Sequence, residues 1–126
     1  MKRTMAWLTG SLLALAAVPA FAGMATQIWH CEMHDDATEE QFLEHATEWA
    51  AAARKLPGGE KMKFSVHFPV AVQHVGETDI LIIMTLPTFA DWGKFWDVYP
   101  DSDAAQLEGR SVDCTVSSVW EEKVID

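Results

Sequence analysis

One eight-residue stretch, residues 79–86 (DILIIMTL), constrains the fold more than any other feature of this sequence. Apolar residues occupy both its odd and its even positions, so both faces of a strand formed here would be apolar. A strand of this kind needs cover on both faces and is typical of the interior of a sheet. The preceding stretch, residues 63–74 (KFSVHFPVAVQH), alternates instead, and its apolar face is formed by Phe64, Val66, Phe68, Val70 and Val72. Because Pro69 has no N–H to donate to a ladder, this second strand is predicted to lie at a sheet edge.

Two amphipathic helices separate the predicted strands. Thr38 and Gln41 have the spacing of a capping box and predict a helix over residues 39–55. A shorter helix rich in aromatic residues is predicted over residues 89–98, and Pro100 ends it. The four predicted strands are residues 26–33, 63–74, 79–86 and 111–123.

The resulting element order is β-α-β-β-α-β, which predicts a single α+β domain. Right-handed crossovers place both helices on one face of an antiparallel sheet with strand order 4-1-3-2. In that order the strand over residues 79–86 is internal and the strand with Pro69 is at an edge, as their compositions require. The other face of the sheet is left uncovered.

The first 22 residues have the pattern of a secretory signal. Lys2 and Arg3 precede an apolar run over residues 7–18, and residues 20–22 (AFA) form a cleavage site. The apolar run is too short to span a bilayer, which disfavours the alternative of a retained membrane anchor. Cleavage would leave 104 of the 126 residues, a single domain over residues 23–126 in the periplasm or outside the cell.

The charge balance excludes two classes of partner. The chain has nine Lys and Arg against nineteen Asp and Glu, a formal charge of −10. Nucleic-acid binding needs clustered basic residues, and so does docking on anionic lipid. We therefore expect neither a nucleic acid nor, after signal cleavage, a membrane as partner.

The two cysteines, Cys31 and Cys114, predict a structural disulfide in an oxidising compartment. The alternatives are two free thiols, an intermolecular bridge, or a soft-metal site in which His30, Glu32 and His34 would surround Cys31.

The predicted sheet order makes the first and last strands antiparallel neighbours. With Cys31 opposite Cys114, Trp29 is predicted opposite Val116 and Met33 opposite Val112, all on an apolar side beneath the helices. The uncovered side would then carry a mixed apolar and polar set, namely Ile28, His30, Glu32, Ser65, His67, Thr115, Ser117 and Val119. A large, partly apolar uncovered face is commonly an interface.

This element order and the aromatic second helix (FADWGKFW, residues 89–96) resemble the dimeric α+β barrel superfamily. Its subunits are ferredoxin-like and pair their uncovered faces into a barrel, as in antibiotic-biosynthesis-type monooxygenases, stress-responsive barrel proteins and NIPSNAP-like proteins. The resemblance covers about residues 25–124. It implies a homodimer and a cavity for a small organic ligand, either between sheet and helices or inside the barrel.

Three residues of the uncovered face are candidate catalytic groups. His30 and Glu32 share a strand face, and His67 lies two strands away, roughly 10 Å across the sheet. An imidazole beside a carboxylate can exchange protons near neutral pH. The alternative is that both histidines are hydrogen-bonded at a dimer interface and that Glu32 ends its strand in water.

Aromatic residues of the second helix are candidate ligand contacts, with a place in the hydrophobic core as the alternative: Trp92, Trp96 and Tyr99. His45, between Phe42 and Trp49 in the first helix, is interpreted as a packed or half-exposed histidine.

The sequence leaves three hypotheses for function. The first is an exported enzyme that needs no organic cofactor and performs elimination, isomerisation or oxygenation, since the chain has no Gly-rich phosphate loop and no nucleophile elbow. The second is a metal-binding protein that uses His30, Glu32 and His34. The third is a ligand carrier or interaction module without catalysis.

Overall fold

The computed structural model describes residues 23–71 and 80–126, which form a four-stranded antiparallel sheet with helices on one face. This arrangement confirms the predicted ferredoxin-like α+β fold. The predicted signal over residues 1–22 and the predicted turn over residues 75–78 lie outside the described residues. No helix within the described ranges is long and apolar enough to cross a membrane.

The sheet has the predicted strand order, read here from the opposite edge as β2-β3-β1-β4. The strands are β1 (Met24–Met33), β2 (Lys63–His67), β3 (Ile80–Leu86) and β4 (Val112–Glu122). The helices are α1 (Glu39–Ala53), α2 (Phe89–Val98) and a short α3 (Asp103–Gln106), with a 3₁₀ turn (Tyr99–Asp101) between the last two.

Local hydrogen bonds fix where the two long helices begin. At α1 the Gln41 N–H donates to Thr38 Oγ1 at 3.2 Å and the Thr38 N–H donates to Gln41 Oε1 at 3.0 Å, the predicted capping box. At α2 the Asp91 N–H donates to Thr88 Oγ1 at 3.0 Å. After α1, Gly58 has φ +85°, and a Cβ at this position would lie 2.2 Å from the Asp91 carbonyl oxygen of α2.

The second strand is shorter than the alternating pattern predicted. β2 does lie at a sheet edge, but it ends at His67 instead of continuing toward residue 74. Pro69 lacks a donor and restricts the preceding residue, so the ladder cannot run through it. Val70, predicted to share the apolar face, is 97% exposed, and residues 72–79 lie outside the described ranges.

The two faces of the sheet have different surroundings. The helix face includes Cys31, which is 1% exposed and packs in one cluster with Phe42 of α1. A second, larger cluster joins α1, α2 and β3 around Met84 and Phe95, both fully buried. The other face, called the open face below, is not covered by the helices.

The disulfide between Cys31 and Cys114 is formed, with an S–S distance of 2.05 Å. It joins two residues that are 83 positions apart in the chain and directly opposite each other on β1 and β4. The described part of the chain contains no free cysteine. The disulfide prediction is therefore preferred over the free-thiol and soft-metal alternatives.

A β-bulge in β4 corrects the predicted register. Met33 does lie opposite Val112, but Trp29 lies opposite Ser117 and not Val116, because two β4 residues, Thr115 and Val116, oppose the single residue His30. An extra residue shifts the side-chain alternation by one.

The shift exchanges the faces of the β4 side chains beyond the bulge. Ser117 and Val119, predicted on the open face, lie on the helix face opposite Trp29 and Gln27. The open face of β4 carries instead Val116, Ser118 and Trp120.

Candidate functional site

A cavity of about 310 Å³ lies between α1, the helix face of the sheet and the segment over residues 107–114. Its apolar walls come from α1 and the sheet: Trp29, Phe42, Ala46, Trp49, Phe64 and Ile82. Its polar wall comes from α1 and the segment before β4: His45, Glu108, Arg110 and Ser111.

Helical spacing aligns the α1 side of the cavity. Phe42, His45 and Trp49 follow one another at intervals of three and four residues, so they lie on one face of the helix. The Trp49 ring packs against Phe64 of β2 with 4.9 Å between ring centroids. Phe42 is 3% exposed, whereas Trp49 and Phe64 are half-buried and border the cavity.

Two polar contacts connect α1 to the segment before β4. His45 Nδ1 is hydrogen-bonded to the Ser111 hydroxyl, and Ser111 is 2% exposed. Arg110 Nη2 donates to Glu48 Oε2 at 2.5 Å. The hydrogen bond and the charge of this guanidinium lower the pKa of Glu48.

The position of the Glu108 carboxylate is fixed from the core. Trp49 Nε1 donates to the Tyr99 hydroxyl at 2.9 Å, and that hydroxyl donates to Glu108 Oε2 at 2.9 Å. Tyr99 is 5% exposed, and burial raises the pKa of its phenol. A neutral tyrosine therefore holds Glu108 at the cavity over the whole physiological pH range.

The disulfide also belongs to the cavity wall. Cys114 lines the cavity, whereas its partner Cys31 is buried beneath it. Next to Cys114, Asp113 receives an ion-pair contact of 3.1 Å from His34 Nε2.

The predicted catalytic residues lie elsewhere, on the open face. His30 is paired with Leu81, and Leu81 with His67, so the two histidines occupy one row of the sheet two strands apart. His67 Nε2 is hydrogen-bonded to Ser65 Oγ at 2.9 Å, and Glu32 is exposed opposite Asp113. None of the three predicted residues lines the cavity.

The predicted ligand-contact residues are engaged within the core. Trp92 Nε1 and Trp96 Nε1 each donate to Gln27 Oε1 at 2.9 Å, and the Tyr99 hydroxyl bonds Trp49 and Glu108. A direct role in ligand contact stays a prediction for all three.

No metal-binding arrangement is found in the described ranges, where no three His, Cys, Asp or Glu side chains come together as a candidate cation site. The cluster of His30, Glu32 and His34 that the sequence suggested is therefore not assembled in the structure.

The cavity-lining polar residues were missed by the sequence interpretation. His45 carried a signal, because its helical spacing from Phe42 and Trp49 places an imidazole among apolar residues. Arg110 and Ser111 carried none, since they belong to a short segment that only the packing of α1 against β4 brings to His45.

Comparison with solved structures finds likeness in fold only. A dimeric protein of unknown function and ferredoxin-like fold from Bacteroides fragilis has a TM-score of 0.46 and 16% identity over 82% of this chain and 100% of its own. Two mutant chlorite dismutases from Candidatus Nitrospira defluvii have TM-scores of 0.47 and 0.46 at 12% identity, over 83% of this chain and 42% of theirs. No protein-family model and no curated protein matches the sequence.

Proposed function

We propose that this protein binds a small, mainly apolar organic molecule in the cavity between α1 and the sheet. The observation that carries the proposal is the composition of the cavity wall, aromatic on the helix and sheet sides and polar on the side of Arg110 and Ser111. Ligand sites typically combine apolar walls with a few fixed polar groups. A volume of about 310 Å³ suits a ligand of one or two rings, because a cavity of about 150 Å³ already accepts benzene.

Binding can be tested with 4-nitrobenzyl alcohol, a neutral aromatic compound that quenches tryptophan fluorescence. Since Trp29 and Trp49 line the cavity, we expect saturable quenching. The variant Ala46→Phe should abolish it by filling the cavity. Ala51→Phe is the matched control, because Ala51 is exposed on the same helix and does not line the cavity. Equal quenching in both variants would place binding elsewhere.

A catalytic role at the same cavity is a second candidate, favoured by the hydrogen bond between His45 Nδ1 and the Ser111 hydroxyl. A serine activated by a histidine can attack an ester carbonyl, with the hydroxyl proton passing to the imidazole and then to the departing alcohol. Water would subsequently release the acid from Ser111. Hydrolysis of 4-nitrophenyl acetate should then disappear in both Ser111→Ala and His45→Gln.

The acid–base role of His30, Glu32 and His67 remains a separate proposal. It requires a second subunit to enclose the open face. If His30→Ala or His67→Ala removes turnover while Ser111→Ala retains it, the reaction belongs to the open face and not to the cavity.

We propose a homodimer as well, formed through the open face. Its central residues Ile28, Leu81 and Ile83 are apolar, and Val116 and Trp120 beside them are 54% and 59% exposed. Sedimentation should show a dimer that Ile83→Asp dissociates. Leu43→Asp, at an exposed position of α1, should leave the dimer intact.

We also propose that the protein is exported from the cytoplasm. It is supported by the signal pattern in the first 22 residues and by the disulfide, which persists in oxidising compartments. A mature protein whose N-terminus lies near residue 23 in the periplasmic or culture fraction is the expected result.

A further inference from the structure

We infer that the ligand of the cavity is an organic cation, an alkylated ammonium group attached to a small apolar body. This inference rests on the proposed function and specifies the chemical class of the ligand. Two independent properties of the cavity support it, the aromatic character of its walls and the sign of the charge around it.

The walls are rich in aromatic rings, the groups that bind alkylated ammonium ions. Four aromatic residues from three elements border one space: Trp29, Phe42, Trp49 and Phe64. The π-face of an aromatic ring carries negative electrostatic potential and attracts a cation within about 6 Å of the ring centroid. The attraction is strongest for indole and increases when the site excludes water. A cavity walled by two indoles and two phenyl rings is thus suited to a poorly hydrated cation.

The charges of the polar wall also favour a cationic ligand. One carboxylate, Glu108, and one guanidinium, Arg110, line the cavity. The guanidinium already has an acidic partner, since Arg110 Nη2 donates to Glu48 Oε2. Asp113 adds no charge to the cavity, because it lies opposite Glu32 and its carboxylate is therefore on the open face. Glu48 offsets the charge of Arg110, so the Glu108 carboxylate leaves an excess of negative charge at the cavity, in a chain whose formal charge is −10.

An anionic ligand is the competing choice, because Arg110 is a natural partner for a carboxylate. Such a ligand would have to displace Glu48 and would then lie beside Glu108. Like charges at this range oppose binding. The arrangement therefore favours a cation over an anion.

Three compounds that share a phenyl ring and differ in charge test the inference: benzyltrimethylammonium, benzyl alcohol and phenylacetate. Each is measured by calorimetry and by displacement of 4-nitrobenzyl alcohol at low ionic strength. We expect benzyltrimethylammonium to bind about tenfold more tightly than benzyl alcohol and phenylacetate to bind most weakly, with the difference reduced by salt. Phenylacetate binding as tightly as the ammonium compound would overturn the inference.

The outcomes separate the inference from the proposed function. If all three compounds bind equally, the cavity is a ligand site without charge preference, and only the inference fails. If neither 4-nitrobenzyl alcohol nor benzyltrimethylammonium binds, both fail together.

Three variants assign the effect to named groups. Glu108→Gln retains an acceptor for the Tyr99 hydroxyl but removes the charge, and should weaken benzyltrimethylammonium several-fold while sparing benzyl alcohol. Arg110→Gln should strengthen binding of benzyltrimethylammonium. If the cavity were an anion site, the same variant would instead lose its affinity for phenylacetate. Phe64→Leu retains apolar bulk without a π-face and should weaken the ammonium compound selectively.

The matched control is Glu44→Gln, which removes the same charge from an exposed position of α1 that does not line the cavity. It should leave all three affinities unchanged. Circular dichroism of each variant checks the fold, and an equal loss for Glu44→Gln and Glu108→Gln would contradict a local role for Glu108.

Discussion

At the scale of single residues, the most informative side chain is Gln27, a polar group beneath α2. It is 7% exposed, accepts hydrogen bonds from Trp92 Nε1 and Trp96 Nε1, and donates from Nε2 to Ser117 Oγ at 2.9 Å. One amide oxygen therefore holds both indoles of α2 against β1. The bulge in β4 is what brings Ser117 to this side of the sheet.

Replacing Gln27 should destabilise the fold strongly. In Gln27→Leu two partly buried indole N–H groups lose their acceptor, which should lower the free energy of unfolding by about 2–4 kcal/mol. Urea denaturation followed by circular dichroism measures the loss. Ser117→Ala, which removes only the acceptor of Gln27 Nε2 at an exposed residue, should cost less than about 1 kcal/mol. Similar costs for the two variants would contradict this assignment.

Tyr99 predicts a loss of stability at high pH. Burial raises the pKa of its phenol above the ordinary value of about 10, so the folded state holds the proton more tightly than the unfolded chain does. The contribution to stability is complete below about pH 10 and falls as the pH rises above that value. Because the chain has a single tyrosine, absorbance at 295 nm follows this group alone. A midpoint near pH 10 in protein that is still folded would refute the prediction.

At the scale of secondary-structure elements, starts of helices were predictable and sheet register was not. The caps at Thr38 and Thr88 depend on residues three positions away, so the sequence alone reveals them. The bulge at Thr115 depends on pairing with a strand that is about 85 positions earlier in the chain, and no local pattern marks it. The end of β2 was overestimated because alternation continues past Pro69 although the ladder does not.

The capping box of α1 should contribute measurably to stability. Thr38→Ala removes the acceptor for the Gln41 N–H and should lower the free energy of unfolding by about 1 kcal/mol. Thr47→Ala makes the same replacement at an exposed position in the middle of the helix and should be neutral or slightly stabilising. Both values come from urea denaturation, and equal destabilisation by the two would argue against a cap effect.

At the scale of the whole molecule, the fold could be predicted from the order of the elements in the sequence, whereas the position of the cavity could not. Strand composition predicted the internal and edge positions of β3 and β2. The disulfide was predicted from two cysteines in an exported protein, and the predicted adjacency of β1 and β4 allowed it. The cavity needs the packing of α1 against the segment over residues 107–114, which has no periodic pattern to position it. Candidates chosen by strand alternation, such as His30 and His67, therefore lay on the opposite side of the sheet.

The disulfide should stabilise the whole domain. It closes a loop between residues 83 positions apart, which corresponds to at most about 4–5 kcal/mol in the chain-entropy model. Cys31→Ala combined with Cys114→Ala should lower the free energy of unfolding by up to this amount, and the midpoint of urea denaturation with it. Addition of dithiothreitol should shift the native protein in the same direction and leave the double variant unaffected. An unchanged midpoint after verified reduction would contradict the prediction.

Since Cys114 is both half of the disulfide and a residue of the cavity wall, oxidation of the cysteines and binding in the cavity act on one another. A bound molecule that contacts the disulfide stabilises the oxidised protein by the same free energy by which disulfide formation strengthens binding. The protein with both cysteines reduced is therefore expected to bind a small molecule in this cavity more weakly than the protein with the disulfide formed.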